Sequence, residues 1–442
     1  MPPRPPNARR PQLPGEAASA SLRVLDDLRR QLLRLRAFAA LTYPFACVPF
    51  LFLYFRGHGM SEAQYGEIVG AYYVAMFVAE VPTGMLTDKV GPKAMMVAGP
   101  LLLAGGFLSL LVWPEYPGFV LAEVLLGFAH AVLSGPPATI LYETLERAGQ
   151  SHRFLREESL LSALRMVGTG VAFLIGGAIA RWGAPTHDAW APTIVATASL
   201  CAVAAAVATT LHGGPPRAQL RLPAFVRGVL HEVRRPAVLW LLGYWVVLFA
   251  LLRFPFHDYQ PYLREAGDVE PLFHDPLFVG LLFALMNLAA APFGALTPRL
   301  VERLGRRTLF WGMPLLLCGS MAVMAWERTV DAGAAGGGSR ALAWLGVSMF
   351  FLQQIPFGMH WALMQEFVNH RIGGATRTTV LSALSLGARS VYAVLNIALF
   401  RLQDEQGLGT AMALVAGVGA VATCAAMWLR PRGLLRGSGP LA

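Results

Sequence analysis

A succession of apolar runs, each close to the length that crosses a bilayer, constrains this chain more than any other feature. A spanning helix needs about 20 mostly apolar residues. Backbone groups in lipid must pair internally, so such runs fold as helices rather than as open strands. Twelve are predicted, near 37–55, 65–86, 94–112, 118–141, 158–181, 193–211, 237–257, 276–298, 308–326, 341–365, 379–400 and 409–429. Composition agrees, with 55% hydrophobic and 14% charged residues, where a soluble globular domain carries about 25% charged. The expected fold class is therefore an all-α polytopic membrane protein with 12 transmembrane helices.

An even count places both termini on one side, and basic residues decide which. With the N-terminus inside, 27 of the 36 Lys and Arg fall in inner segments and six in outer loops. Cytoplasmic loops carry such an excess, so both termini are expected in the cytoplasm of a cell whose inner (plasma) membrane holds the chain. The net charge of +10 is accounted for by topology, and no nucleic-acid partner is expected. The start, "MPPRPPNARRPQLPGEAASA", lacks the apolar core of a signal peptide. "SLRVLDDLRRQLLRLR" follows and reads as a basic amphipathic helix on the inner membrane surface. Cys47, Cys201, Cys318 and Cys424 stand singly in apolar runs, and neither a zinc site, a disulfide scaffold nor a cofactor is expected.

The basic stretch 212–236 divides the chain into a tail with amphipathic helix (1–36), a six-helix bundle (37–211), a central cytoplasmic loop, a second bundle (237–429) and a C-terminal tail (430–442). The halves carry faint copies of one another. "DKVGPK" at 88–93 is echoed by "ERLGRR" at 302–307, "LSAL" occurs at 161–164 and 381–384, and Glu143 and Glu366 close corresponding runs. Three matches in order, at similar offsets, argue for duplication, the pattern of carriers that alternate access between two pseudo-symmetric six-helix bundles.

"GMLTDKVGPK", Gly84 to Lys93, resembles the loop between the second and third helices of the major facilitator superfamily, of form G-x-L-x-D-R-x-G-R-K. "EVPTG", "SGPPATILYETL" and "YQPYLREAG" are similar to segments of a bacterial branch with few assigned substrates. The resemblance covers 37–429 and implies that superfamily's fold, rocker-type alternating access and secondary transport. Two family signatures are absent. Glu123 and Leu126 stand where many proton-driven members have Arg and Gln, and Ala172-Phe173 stands where drug antiporters have Gly-Pro.

The motif and its echo form an expected conformational gate of Gly84, Asp88, Lys89, Gly91, Lys93, Glu302, Gly305 and Arg306. Asp88 is placed to bind the free N–H groups at the start of a facing helix, the eleventh by preference. Lys89 and Lys93 reach neighbouring acids or lipid phosphates, or serve orientation alone. Gly84 permits close helix packing and Gly91 a tight turn. No Gly-rich run with Lys-Ser/Thr cradles a phosphate.

Ionisable residues within spans are functional candidates by default. Glu80 lies two turns before Asp88 and roughly 12 Å deeper at about 1.5 Å per residue. It either exchanges a proton or pairs with Arg165 in the fifth run. Glu123, Gly127, His130 and Ser134 share one helix face. Glu80, Arg165, Glu123 and His130 are therefore the proton-coupling candidates. Ser382, Ser385, Arg389, Tyr392 and Asn396 form a polar stripe on the eleventh run. With Gln353, Gln354, His360, Trp361, Gln365 and Asn287 they either line a substrate cavity or hold helices together. Arg253, His257 and Asp258 approach the end of the seventh run and suit an outer gate.

The expected activity is secondary transport of a small organic solute, with or without proton coupling, with a lean to export of an amphiphilic compound. The carrier is read as a monomer in the lipid bilayer. A membrane sensor or lipid-handling binding protein on the same fold is the alternative. No H-E-x-x-H, G-x-S-x-G or Walker loop supports an enzyme.

Overall fold

The computed structural model describes residues 14–183, 190–214, 227, 230, 231, 234–333, 338–371, 374–432, 434 and 435, and no strand occurs among them. The first thirteen residues of the tail 1–36, most of the central loop 212–236 and most of the tail 430–442 lie outside the described residues, as do the side chains of Glu366 and Ser382. The first half comprises α1 (Pro14–Leu41), α2 (Leu51–Gly57), α3 (Glu62–Val90), α4 (Pro92–Val112), α5 (Tyr116–Leu133), α6 (Pro136–Arg147), α7 (Phe154–Trp182) and α8 (Ala191–Thr209). The second comprises α9 (Pro236–Gly267), α10 (Pro276–Leu304), α11 (Arg306–Gly333), α12 (Arg340–Arg371), α13 (Gly374–Gln406) and α14 (Leu408–Trp428).

Eleven helical stretches among the described residues are long and apolar enough to cross a membrane, with α5 and α6 forming one of them. The first predicted span is different in kind. Its "YPFACVP" segment holds Pro44 and Pro49, and the chain runs irregularly from Thr42 before a 3-10 turn at Val48–Phe50 and short α2. Proline removes a backbone donor and clashes with the preceding turn, which ends α1 there. The basic segment is not a separate surface helix. It continues as α1, whose Leu28, Leu32, Leu35 and Phe38 recur on one face, are buried and pack towards α7 and α8.

The duplication has a geometric counterpart. Gly91 and Gly305 end α3 and α10 with φ of 89° and 77°, conformations that side chains disfavour. Their N–H groups close the last turns onto Thr87 O at 2.9 Å and Val301 O at 3.0 Å. We call the end of the bundle bearing these turns the basic end and the opposite one the far end.

The halves meet chiefly along two seams, α3 with α13 and α7 with α10. Small residues let the backbones approach. A Cβ on Gly66 would lie 2.3 Å from Phe400 Cβ, and one on Gly177 would lie 2.7 Å from Pro276 O. Both contacts lie at the far end.

Candidate functional site

Between the halves lies a cavity of about 370 Å³. α9 contributes Phe249, Arg253, Phe256, His257 and Gln260, a single helical face by their spacing. α5 contributes Glu123, Leu126 and His130 on another face, and α3 contributes Tyr65, Val69, Tyr72, Tyr73 and Met76. The break between α1 and α2 brings in Tyr43, Phe45 and Val48, and α13 brings in Arg389. The proline-broken first span thus gives the cavity an irregular backbone wall. Such a wall is tolerated at membrane depth only where it faces protein or a cavity.

The sequence candidates are distributed unevenly around this cavity. Glu123, His130 and Arg389 line it. Glu80 does not pair with Arg165; Arg389 Nη1 donates to Glu80 Oε2 at 2.7 Å. The partner sits on α13 because α3 and α13 form the inter-half seam, a neighbour no local spacing reveals. Arg165 Nε is buried without a hydrogen-bond partner, beside Tyr43. His130 stacks on Tyr43 with ring centroids 4.7 Å apart, and its Nδ1 lies 3.2 Å from Leu126 O. Gly127 packs α5 on α3, since a Cβ there would lie 2.3 Å from Tyr72 O.

The remaining cavity candidates hold helices together instead. Tyr392 donates to Asn396 Oδ1 at 3.0 Å, and Asn396 Nδ2 donates across the seam to Gly66 O at 2.8 Å. Asn287 Nδ2 bridges the other seam to Met166 O at 2.6 Å. Gln353 donates to Ser320 Oγ at 2.9 Å and Gln354 to the Tyr259 hydroxyl at 3.1 Å, both within the second half. His360 stacks near Trp245 with centroids 5.7 Å apart, and Trp361 is exposed.

Arg253 and His257 are placed differently from the expectation of an outer gate. α9 runs ten residues beyond the predicted span, to Gly267, so Arg253 lies near its middle and faces the cavity. Pro255 and Pro261 within it do not end the helix. His257 Nε2 shares a hydrogen bond of 3.0 Å with the Tyr73 hydroxyl across the halves. Asp258 is fully buried beside Gln403, and among the described residues neither carboxyl oxygen is within hydrogen-bond geometry of a donor.

Closure at the far end has a further element that composition did not single out. Gln260 Nε2 donates to Val48 O at 2.8 Å, and its Oε1 accepts from Phe52 N–H at 2.8 Å. The same side chain divides the central cavity from an outer hollow of about 220 Å³. Arg401 with Glu67 at 2.6 Å, and Arg181 with Asp275, close ion pairs across the seams.

At the basic end Arg306 has a partner, and the side chains that begin α13 lie outside the described residues. Asp88, Lys89, Lys93 and Glu302 make no hydrogen bond or ion pair among the described residues. A Cβ on Gly84 would meet nothing within 4 Å, so the close packing expected there is not present. Lys93 instead lies along the segment after α8, where a Cβ on Gly213 would sit 2.7 Å from Lys93 Cβ.

A model of the Major Facilitator Superfamily matches residues 35–396. The inner membrane transport protein YajR of Escherichia coli (strain K12) is 28% identical over 119 residues, which are 26% of this chain and 24% of that protein. The multidrug resistance protein MdtH of Edwardsiella ictaluri (strain 93-146) is 36% identical over 93 residues, 21% of this chain and 22% of that protein. The chain thus spans less than a quarter of the length of each of these two relatives. The crystal structure of the nucleoside transporter NupG superposes with a TM-score of 0.69 at 15% identity, covering 90% of this chain and 98% of that one. That of a D-xylose-proton symporter gives 0.68 at 13% identity, covering 91% and 97%. At such identities the likeness is one of fold.

Proposed function

The chain belongs to the major facilitator superfamily, and we propose that its central cavity carries an amphiphilic organic solute out of the cell in exchange for protons. Family and fold make it a secondary transporter in a multi-pass membrane setting. The basic end faces the cytoplasm in this reading, supported by the Lys and Arg bias, and is the end that opens inward. Asp88 and its motif latch that end in the opposite state.

One observation carries the proton-coupled reading. Glu123 lines the cavity, is only 7% exposed and has no hydrogen bond or ion pair among the described residues. An unpaired carboxyl exchanges its proton without breaking an ion pair, whereas Glu80 must first leave Arg389. Glu123 is therefore the proton carrier and Glu80 a structural partner. His130, on the same wall, lies on the path by which the proton leaves. The aromatic lining suits an apolar cargo body, and the carrier works as a monomer.

Efflux of fluorescent amphiphiles from proteoliposomes, with and without an opposing pH gradient, tests this. We expect the gradient to raise efflux several-fold and Glu123→Gln to remove that gain while leaving downhill exchange. Efflux indifferent to the gradient overturns proton coupling. Gradient-driven uptake in place of efflux overturns the direction.

A further inference from the structure

We propose that Arg253 is the anchor for an oxyanion on the substrate, so that the cargo is an amphiphilic organic acid with an aromatic or apolar body. The inference rests on the cavity being the transport site.

An arginine guanidinium carries five N–H donors and a permanent charge. At membrane depth such a group finds an acid, a carbonyl or water. The other arginine of the cavity wall obeys this rule, since Arg389 is matched by Glu80 at 2.7 Å. Arg253 is not matched. Among the described residues none of its donors meets an acceptor and no carboxylate pairs with it. Its surroundings are aromatic instead, with its Cζ 5.3 Å from the Phe249 ring centroid, 5.8 Å from Phe256 and 6.0 Å from Phe357.

Ring faces hold a cation in place without neutralising it or accepting its fork of donors. They also exclude water, which strengthens whatever anion reaches the fork. The guanidinium is central to the site, one turn from His257 and on the same helix face as Phe249 and Gln260. Around the cavity the count is unbalanced in the same direction. Among the described residues its wall holds two arginines, Arg253 and Arg389, against one carboxyl, Glu123, and Arg389 is already engaged by Glu80 behind it. An excess of guanidinium over carboxyl groups, in a space of about 370 Å³ walled by Tyr and Phe, fits a ring system bearing a carboxylate or sulfonate.

Paired probes separate charge from shape. Arylacetates of one to four fused rings, and the matching arylacetamides, are titrated against the purified full chain in lipid nanodiscs, with binding read from the shift in thermal unfolding. The acid is expected to bind at least about tenfold more tightly than its amide, the gain of a charge-assisted fork. Arg253→Gln should remove that preference and leave amide binding within about twofold, which also shows that the variant is folded. Arg253→Lys should keep part of the preference, because it retains charge but not the planar fork. Equal binding of acid and amide by the unaltered protein overturns the proposal. So does a Gln variant that loses both ligands equally, since that is a purely structural role. If the acid series fails to bind while proton-driven efflux of a neutral amphiphile persists, the anchor falls and the transporter reading stands.

Discussion

The same two helices, α3 and α13, run along one seam, and the contacts described between them gather in its far half. From Gly66 against Phe400 to Glu80 with Arg389 they are joined by tight packing, a hydrogen bond from the Asn396 side chain to Gly66 O and an ion pair. Two turns further along α3, Asp88 has no partner and Gly84 has open space beside it among the described residues. The far end is held by close packing at small residues, side-chain hydrogen bonds to backbone and ion pairs, and we propose that the basic end closes through Asp88 at a helix start.

Substitutions at the two ends should therefore differ in size. Gly66→Leu is expected to act most strongly, because its Cβ would meet Phe400 Cβ at 2.3 Å. Overpacking of about 3 kcal/mol, over a hundredfold in population, should drive the seam open. Labelling of far-end cysteines would report it, and an unchanged pattern would mean that the seam is softer than its packing.

Glu80→Gln comes next. It leaves Arg389 unmatched in a site where the two side chains are 19% and 22% exposed. Discounted for that exposure, the loss is about 2 kcal/mol, read from thermal unfolding in detergent. Adding Arg389→Gln should recover most of it. A double variant as weak as the single one would break the pairing argument.

Gln260→Met should cost about 1–2 kcal/mol, chiefly by orphaning Phe52 N–H in the buried break of the first span, since Val48 O keeps the Leu51 N–H. The readout is permeation of a small thiol reagent from the far end into the cavity. Asp88→Asn should be smallest, under about 0.5 kcal/mol on unfolding of this state, since no partner is lost. It should nonetheless raise labelling of a cysteine at the basic end during turnover. A large loss of stability would show that the latch is engaged here after all.

Much of the fold was legible because bilayer crossing imposes one length on many segments. Eleven spans and the Gly91 and Gly305 turns follow from local chemistry, apolar length and the need for positive φ. The broken first span was written in Pro44 and Pro49, yet an apolar count averages over prolines. The site was less legible. Glu123, His130 and Arg389 stand out as ionisable groups in apolar surroundings, which is a local signal. The pairing of Glu80 with Arg389 joins residues 309 apart in the chain, and only the seam between halves brings them together. Arg253 was misplaced because polar residues after 257 resemble the end of a span, while in the structure they extend α9 to Gly267.

The measurement closest to the central claim is a reversible lock on the far end. In a chain lacking Cys47, Cys201, Cys318 and Cys424, Gly70→Cys and Ile397→Cys place thiols across the seam where a Cβ on Gly70 approaches Ile397 Cγ1 at 2.8 Å. Oxidation should stop transport while ligand still binds from the basic end, and reduction should restore the original rate. Full transport through the cross-linked carrier would contradict alternating access by this cavity.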